Sequence, residues 1–223
     1  MKIITLRVGL ALLLFTVALS AFSDDGGIKS ELATSAAVAE LQTRWATAQY
    51  AEDKSQQEHD FESLLLRANN MISAEPDNPD FYVWRGIIKA SYAGVKGGLG
   101  ALSLVREAKI DLEQAIALGG GTLQAAARTS LGSLYFQMPG WPIGFGSDKK
   151  AETYLLEGLA MAPDDIDSNY FYALYLIDQR RGEKARQYLE RAYTAPRRLG
   201  RDFADQERRR EVLELITEQQ KEK

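Results

Sequence analysis

A small residue, a leucine four positions on and a second small residue three further on recur three times along this chain. The three instances are Ala108, Leu112 and Ala115; Ala151, Leu155 and Gly158; and Ala185, Leu189 and Ala192. Positions i, i+4 and i+7 share one face of an α-helix but fall on both faces of a strand. Alanine or glycine on such a face lets a second helix approach closely, while the leucine fills the groove beside it. Each stretch runs into a helix terminator: Gly119 to Gly121, Pro163 with Asp164, and Pro196. Period-two alternation is missing, and no Asn-Gly or Asp-Gly turn separates β-branched runs. The chain reads as all-α.

Ala151 and Ala185 are 34 residues apart, and Ala108 precedes Ala151 by 43. A period of about 34 is the tetratricopeptide length, in which each repeat is a helical hairpin. A first helix is visible upstream of each small-residue stretch. Leu131, Gly132 and Tyr135 precede Ala151, Tyr82 and Gly86 precede Ala108, and Asn169, Ala173 and Leu176 precede Ala185. A more degenerate pair spans Leu41 to Glu52 and Phe61 to Ser73, closed by Pro76. One hairpin cannot bury its own apolar face, whereas stacked hairpins can. The sequence therefore predicts a tetratricopeptide-like right-handed α-solenoid of about four helical hairpins, forming one domain over residues 24–223. A capping helix is expected at about 203–221, with Phe203, Val212, Leu213, Leu215 and Ile216 turned toward the last hairpin and a charged outer surface. Tyr193 is expected on the buried face of the last repeat, and Asp24 to Lys29 as a flexible leader.

The first 23 residues read as an address. Lys2 and Arg7 precede an uncharged apolar run from Val8 to Leu19, and small residues at Ala18, Ser20, Ala21 and Ser23 offer cleavage sites. This is the plan of a secretory signal peptide. The run is shorter than the ~20 residues a membrane span needs. Export to a bacterial periplasm is expected, with an anchor in the inner membrane as the alternative. The chain has no Cys and one His. That excludes disulfides, a lipidated N-terminal cysteine and a multi-histidine metal site. A net charge of −4 argues against general nucleic-acid binding, which rests on neutralising phosphates.

Two glycine-rich stretches are longer than the repeat requires, Ala93 to Leu104 and Gln137 to Ser147. Insertions at equivalent places project from one face of a solenoid. Pro139 and Pro142 restrict the second, so Trp141 and Phe145 are candidates for a preformed contact. Tyr82 and Tyr170, on first helices, are candidates for the concave surface, as are Trp84, Phe171 and Tyr172, most of which are expected in the core. Arg197 and Arg198 form a candidate anion or partner site. The C-terminal arginine run as a whole, these two included, is interleaved with acids and reads as a solvated, salt-bridged surface, to which that site is the alternative. Glycines 94, 97, 98 and 100 lack the preceding strand and the Gly-Lys-Ser/Thr of a phosphate loop. No nucleophile, base or metal constellation is visible, so the expectation is a protein that is not an enzyme and uses no cofactor.

Five segments carry a resemblance. They are Leu131 to Tyr135 (LGSLY), Pro139 to Gly146 (PGWPIGFG), Asp148 to Leu155 (DKKAETYL), Asn169 to Ala173 (NYFYA) and Arg191 to Arg198 (RAYTAPRR). Together they resemble exported proteobacterial tetratricopeptide proteins similar to the T-component of TRAP transporter systems, over about Asp80 to Glu211. A looser likeness runs to the regulator-of-microtubule-dynamics proteins. The resemblance implies a periplasmic protein that partners a substrate-binding protein in uptake of a small apolar or organic-acid ligand. T-components of this kind are lipoproteins, and this chain departs from them in having no Cys. Two roles are carried forward: a scaffold for a protein partner or small apolar ligand, and a transport accessory. A homo-oligomer is open to either.

Overall fold

The computed structural model describes residues 25–221, and among these every regular element is an α-helix. In chain order they are α1 (Asp25–Gln49), α2 (Lys54–Ala74), α3 (Pro79–Lys96), α4 (Gly98–Leu118), α5 (Gln124–Gln137), α6 (Asp148–Met161), α7 (Ile166–Asp178), α8 (Gly182–Thr194) and α9 (Asp202–Lys221). The expected signal segment lies outside the described residues. No helix among the described residues is long and apolar enough to cross a membrane.

Local chemistry sets the helix starts. Asp53, Asn78, Ser147 and Asp165 each accept a hydrogen bond from a backbone N–H of the first turn they precede, and Pro79 follows Asn78 at a position where its missing N–H costs nothing. Consecutive helices then pair: α1 with α2, α3 with α4, α5 with α6, α7 with α8. The pairs stack through α2 on α3, α4 on α5 and α6 on α7, while α1, α3, α5 and α7 also touch in succession along one face. The result is a tetratricopeptide-like solenoid of four hairpins with α9 closing it.

The crossings are built on the small residues. A Cβ on Gly86 would lie 2.8 Å from Cγ of Leu112, and one on Gly132 would lie 2.7 Å from Cγ of Leu155 and 2.9 Å from its backbone nitrogen. A Cβ on Gly158 would meet Oγ1 of Thr129 at 2.4 Å. Ala108, Leu112, Ala115, Ala151, Leu155, Ala185, Leu189 and Ala192 are fully buried, and Tyr135 nearly so. Polar ties reinforce neighbouring pairs. Asp111 on α4 receives Arg85 Nη2 at 2.5 Å and Nε at 2.9 Å, and Lys89 Nζ at 2.9 Å. Asp80, at the start of α3, accepts from the backbone N–H of Thr122 and of Leu123, both at 3.1 Å, fixing the turn into α5.

Four expectations need correction. Ala93 to Leu104 is not a projecting loop: α3 runs on to Lys96 and α4 begins at Gly98, leaving Gly97 (φ +67°) to make the turn. The helix formers around the glycines simply lengthen both helices. The expected leader is helical from Asp25 onward. Tyr193 and Leu213 are exposed rather than packed. Phe203 does not face the last hairpin; its ring meets Tyr50 at the end of α1, edge to face at 6.0 Å. Its neighbour Ala204 belongs to the apolar cluster of Leu41, Trp45, Phe61 and Trp84. Val212, Leu215 and Ile216 do pack with Leu189 and Ala192 of α8. Helix α9 therefore joins the first hairpin to the last.

The glycine crossings predict a contrast. Gly132→Ala pushes against backbone and should cost about 1–3 kcal/mol, as should Ala151→Leu and Ala185→Leu. Gly94→Ala, where an added Cβ meets nothing within 4 Å, should be neutral or gain up to about 1 kcal/mol. Urea unfolding of the four variants checks both halves.

Candidate binding site on the concave face

Because the first helix of every hairpin lies on one face, the side chains those helices turn outward converge. They enclose a cavity of about 770 Å³. Trp45 of α1, Trp84 of α3, Leu134 of α5, and Tyr170 and Phe171 of α7 form apolar wall, with Thr129, Ser130 and Ser133 as a polar strip along α5. That volume is in the range of small-molecule sites, ~300–1,000 Å³. The cavity has a boundary because the segment after α8 and the start of α9 cross it, bringing in Arg198, Arg201, Arg208 and Glu211.

An ion-pair network holds this segment down. Asp167, in the first turn of α7, accepts from Arg208 Nε at 2.9 Å and Arg198 Nη1 at 2.8 Å. Asp205, whose side chain is 2% exposed, accepts from Arg198 Nε at 2.9 Å, Nη2 at 2.5 Å and the Arg198 backbone N–H at 3.1 Å. Asp165 takes Arg198 Nη1 at 2.9 Å, and Arg208 also pairs with Glu211. The Arg208 guanidinium lies 4.2 Å from the centre of the Tyr170 ring. Burial raises the carboxyl pKa of Asp167, but the charges of Arg198, Arg208 and Arg201 outweigh it and hold the group well below the usual carboxylate range. Burial pushes the Tyr170 phenol up to about 12, against the opposing charge of Arg208.

The candidate residues separate. Tyr170 and Arg198 line the cavity. Tyr82 is half-buried outside it, with the Arg85 guanidinium 5.4 Å from its ring. Arg197 is exposed and pairs with Asp202. Trp141 and Phe145 sit together on the loop after α5, away from the cavity lining. That loop is fastened by Gly144 N–H to Gly140 O at 3.1 Å, Gly146 N–H to Pro139 O at 2.9 Å and Ser147 N–H to Tyr135 O at 2.9 Å. Phe145 turns inward, edge to face on Tyr135 at 5.4 Å, whereas Trp141 is 90% exposed.

Arg201, Arg208 and Asp167 were not among the sequence candidates, and the reading of their run as solvated does not hold for Arg198, Arg201 and Arg208. A local signal was available for one of them. Ala204, Arg208 and Val212 form a single stripe at i, i+4, i+8, and both apolar members are buried, so the arginine between them is buried too. Among the described residues, no group of three His, Cys, Asp or Glu side chains could hold a metal ion.

No protein-family model matches the chain, and no curated protein matches it. Among solved structures it is similar to a crystal structure of MamA, at 18% identity and a TM-score of 0.43, covering 76% of this chain and 92% of that one. A second crystal structure of MamA matches at 18% identity and a TM-score of 0.42, covering 81% and 90%. Likenesses this distant bear on neither ligand nor partner.

The network makes the closure acid-sensitive. A carboxyl whose pKa is depressed on folding stabilises the fold above its unfolded value of about 3.9 and loses that contribution as pH falls below it. Melting temperature should therefore drop on acidification below about pH 4. Asp167→Asn, which leaves Arg208 and Arg198 short of charge, should cost about 3 kcal/mol at neutral pH and flatten that acid dependence. Thermal melts from pH 7 to pH 3 on both proteins check the sign.

Proposed function

We propose that the chain is a non-enzymatic helical-repeat scaffold that is exported and holds a protein partner through the loop between α5 and α6. The observation that carries this is Trp141, 90% exposed at the tip of a fastened loop, with Ile143 beside it 62% exposed. An aromatic ring held out by an ordered backbone binds with little further loss of conformational freedom, which is how single residues come to dominate interfaces. The scaffold role is consistent with a solenoid whose concave face is roofed by its own C-terminal segment, while the loop presents an aromatic ring outward.

A second reading is favoured by the cavity: an accessory of solute uptake, similar to the TRAP T-component, that holds a small apolar ligand and meets a periplasmic substrate-binding protein. In this reading the loop is the docking element and the cavity the ligand site. A second copy of the chain is a further occupant the loop can take.

Trp141→Ala separates docking from folding. The ring touches little of its own hairpin, so the melting temperature should stay unchanged. Capture of a partner from periplasmic extract should weaken by about 2 kcal/mol or more, as at aromatic hot spots. Equal capture by both proteins, or a large stability loss in the variant, contradicts the docking role.

A further inference from the structure

The loop that carries Trp141 does not stand alone. Among the described helices, α4 packs on α3 and α5 only, so its outer face is open. Leu99, Arg106 and Ile110, at i, i+7 and i+11, share that face. Leu99 is 86% exposed and Ile110 63%. A rise of ~1.5 Å per residue sets the two about 16 Å apart along the axis. Between them, Arg106 Nη2 donates to the carbonyl oxygen of Ile143 at 3.4 Å. The α4 stripe and the loop are thereby one surface, on which Leu99, Ile110, Trp141 and Ile143 stand in the open. Single exposed apolar residues are ordinary, but four sharing one surface mark a place of contact.

The charges around these side chains are lopsided. Lys150 Nζ lies 5.2 Å from the centre of the Tyr135 ring on which Phe145 rests, and Lys149 beside it is exposed. Neither lysine, nor Arg106, has a carboxylate partner among the described residues. Two of the neighbouring acids are taken: Glu107 receives Lys89 Nζ at 3.2 Å, and Glu113 receives Lys109 Nζ at 2.7 Å. Asp148 remains, in the first turn of α6, where the helix dipole favours a negative charge. Three cations without a counter-charge against one carboxylate make this surface positive, in a chain whose net charge is −4. Cations at the rim of an apolar contact choose the partner by its charge, while the ring at the centre supplies the affinity.

We propose that the partner taken by this surface is an acidic protein segment. Its carboxylates meet Arg106, Lys149 and Lys150, and an apolar side chain of the segment packs on Trp141 and Ile143. The distance from Leu99 to Ile110 suits about eleven residues of a helix or about five of an extended strand. The proposal rests on the docking role of the loop and adds the chemistry of what docks there.

The test is a display selection of random peptides of about 16 residues on the full chain, with counter-selection on Trp141→Ala. Enriched peptides should carry more Asp and Glu than the starting library, together with an aromatic or large aliphatic residue. The tightest is then made with a twin in which each Asp and Glu is replaced by Asn or Gln, and both are titrated by fluorescence anisotropy. On the unaltered chain the acidic peptide should bind at least about tenfold tighter than its twin, and the ratio should shrink as salt rises. With Arg106→Gln, Lys149→Gln and Lys150→Gln combined, the ratio should approach one while the twin binds as before, a result that mere disturbance of the loop does not give. Trp141→Ala should weaken both peptides by about thirtyfold or more. Trp141-dependent peptides with no acidic excess overturn the acidic partner and leave the docking role standing. Failure to enrich any Trp141-dependent peptide overturns both. An acidic preference that survives loss of the three cations overturns their assignment. Trp45 and Trp84 are buried, so a blue shift of tryptophan emission on phosphatidylglycerol vesicles reports Trp141. That shift, with no acidic peptide enriched, overturns the protein segment in favour of a membrane.

Discussion

The pairing of Arg198 and Arg208 with Asp165, Asp167 and Asp205 decides what kind of solenoid this is. A stack of four hairpins has an open concave face by construction. Here the last segment of chain turns back across that face, and the network fastens it where α7 begins. Removing one member of such a cluster leaves the others as buried charges without a counter-charge, which costs more than the pairs contribute over an apolar replacement. The network therefore specifies where the C-terminal segment lies more than it adds to overall stability. The shape of the concave side follows from that placement: the roof of the cavity, the position of Arg201 over the Trp45 and Trp84 indoles, and the contact of Phe203 and Ala204 with the first hairpin.

The loop between α5 and α6 answers to a different constraint. Its shape comes from close backbone approaches that only glycine permits, since a Cβ on Gly144 or Gly146 would collide with the backbone of Met138 and Pro139. With Phe145 seated on Tyr135 and three backbone hydrogen bonds closing the turn, Trp141 is left outside. The molecule thus has two separate features that can meet other molecules. One is an outward aromatic tip suited to a protein surface, the other an inward cavity suited to a small molecule.

The repeat architecture was legible because its signal is local. Gly132 opposite Leu155, and Gly86 opposite Leu112, are read from small residues at helical spacing, and the helix ends from Gly119, Pro163 and Pro196. The glycine-rich stretch at 93–104 misled, because glycine marks a loop only when helix formers do not surround it. The site was legible in part. Tyr170, Trp84 and Phe171 were found from their helices and Arg198 from its charge, but Arg201 was not. Its place depends on a pairing across the fold: Arg208 with Asp167, 41 residues apart, sets the segment that carries Arg201 over α1 and α3. An arginine run mixed with acids looks the same in sequence whether it is solvated or folded inward, and only the Ala204, Arg208, Val212 stripe tells them apart.

The central claim is that the C-terminal segment spans the concave face from last hairpin to first. The absence of cysteine allows a direct measurement, because a pair introduced at Tyr50 and Phe203 is the only thiol pair in the protein. Those two rings lie 6.0 Å apart. A short bifunctional thiol reagent should then join Tyr50→Cys to Phe203→Cys within one molecule in near-quantitative yield under native conditions, and the yield should fall when Asp167→Asn is added. Failure to crosslink in the folded protein, with α9 still packed on α8, would mean that the helix caps only the last repeat and that the concave face is open.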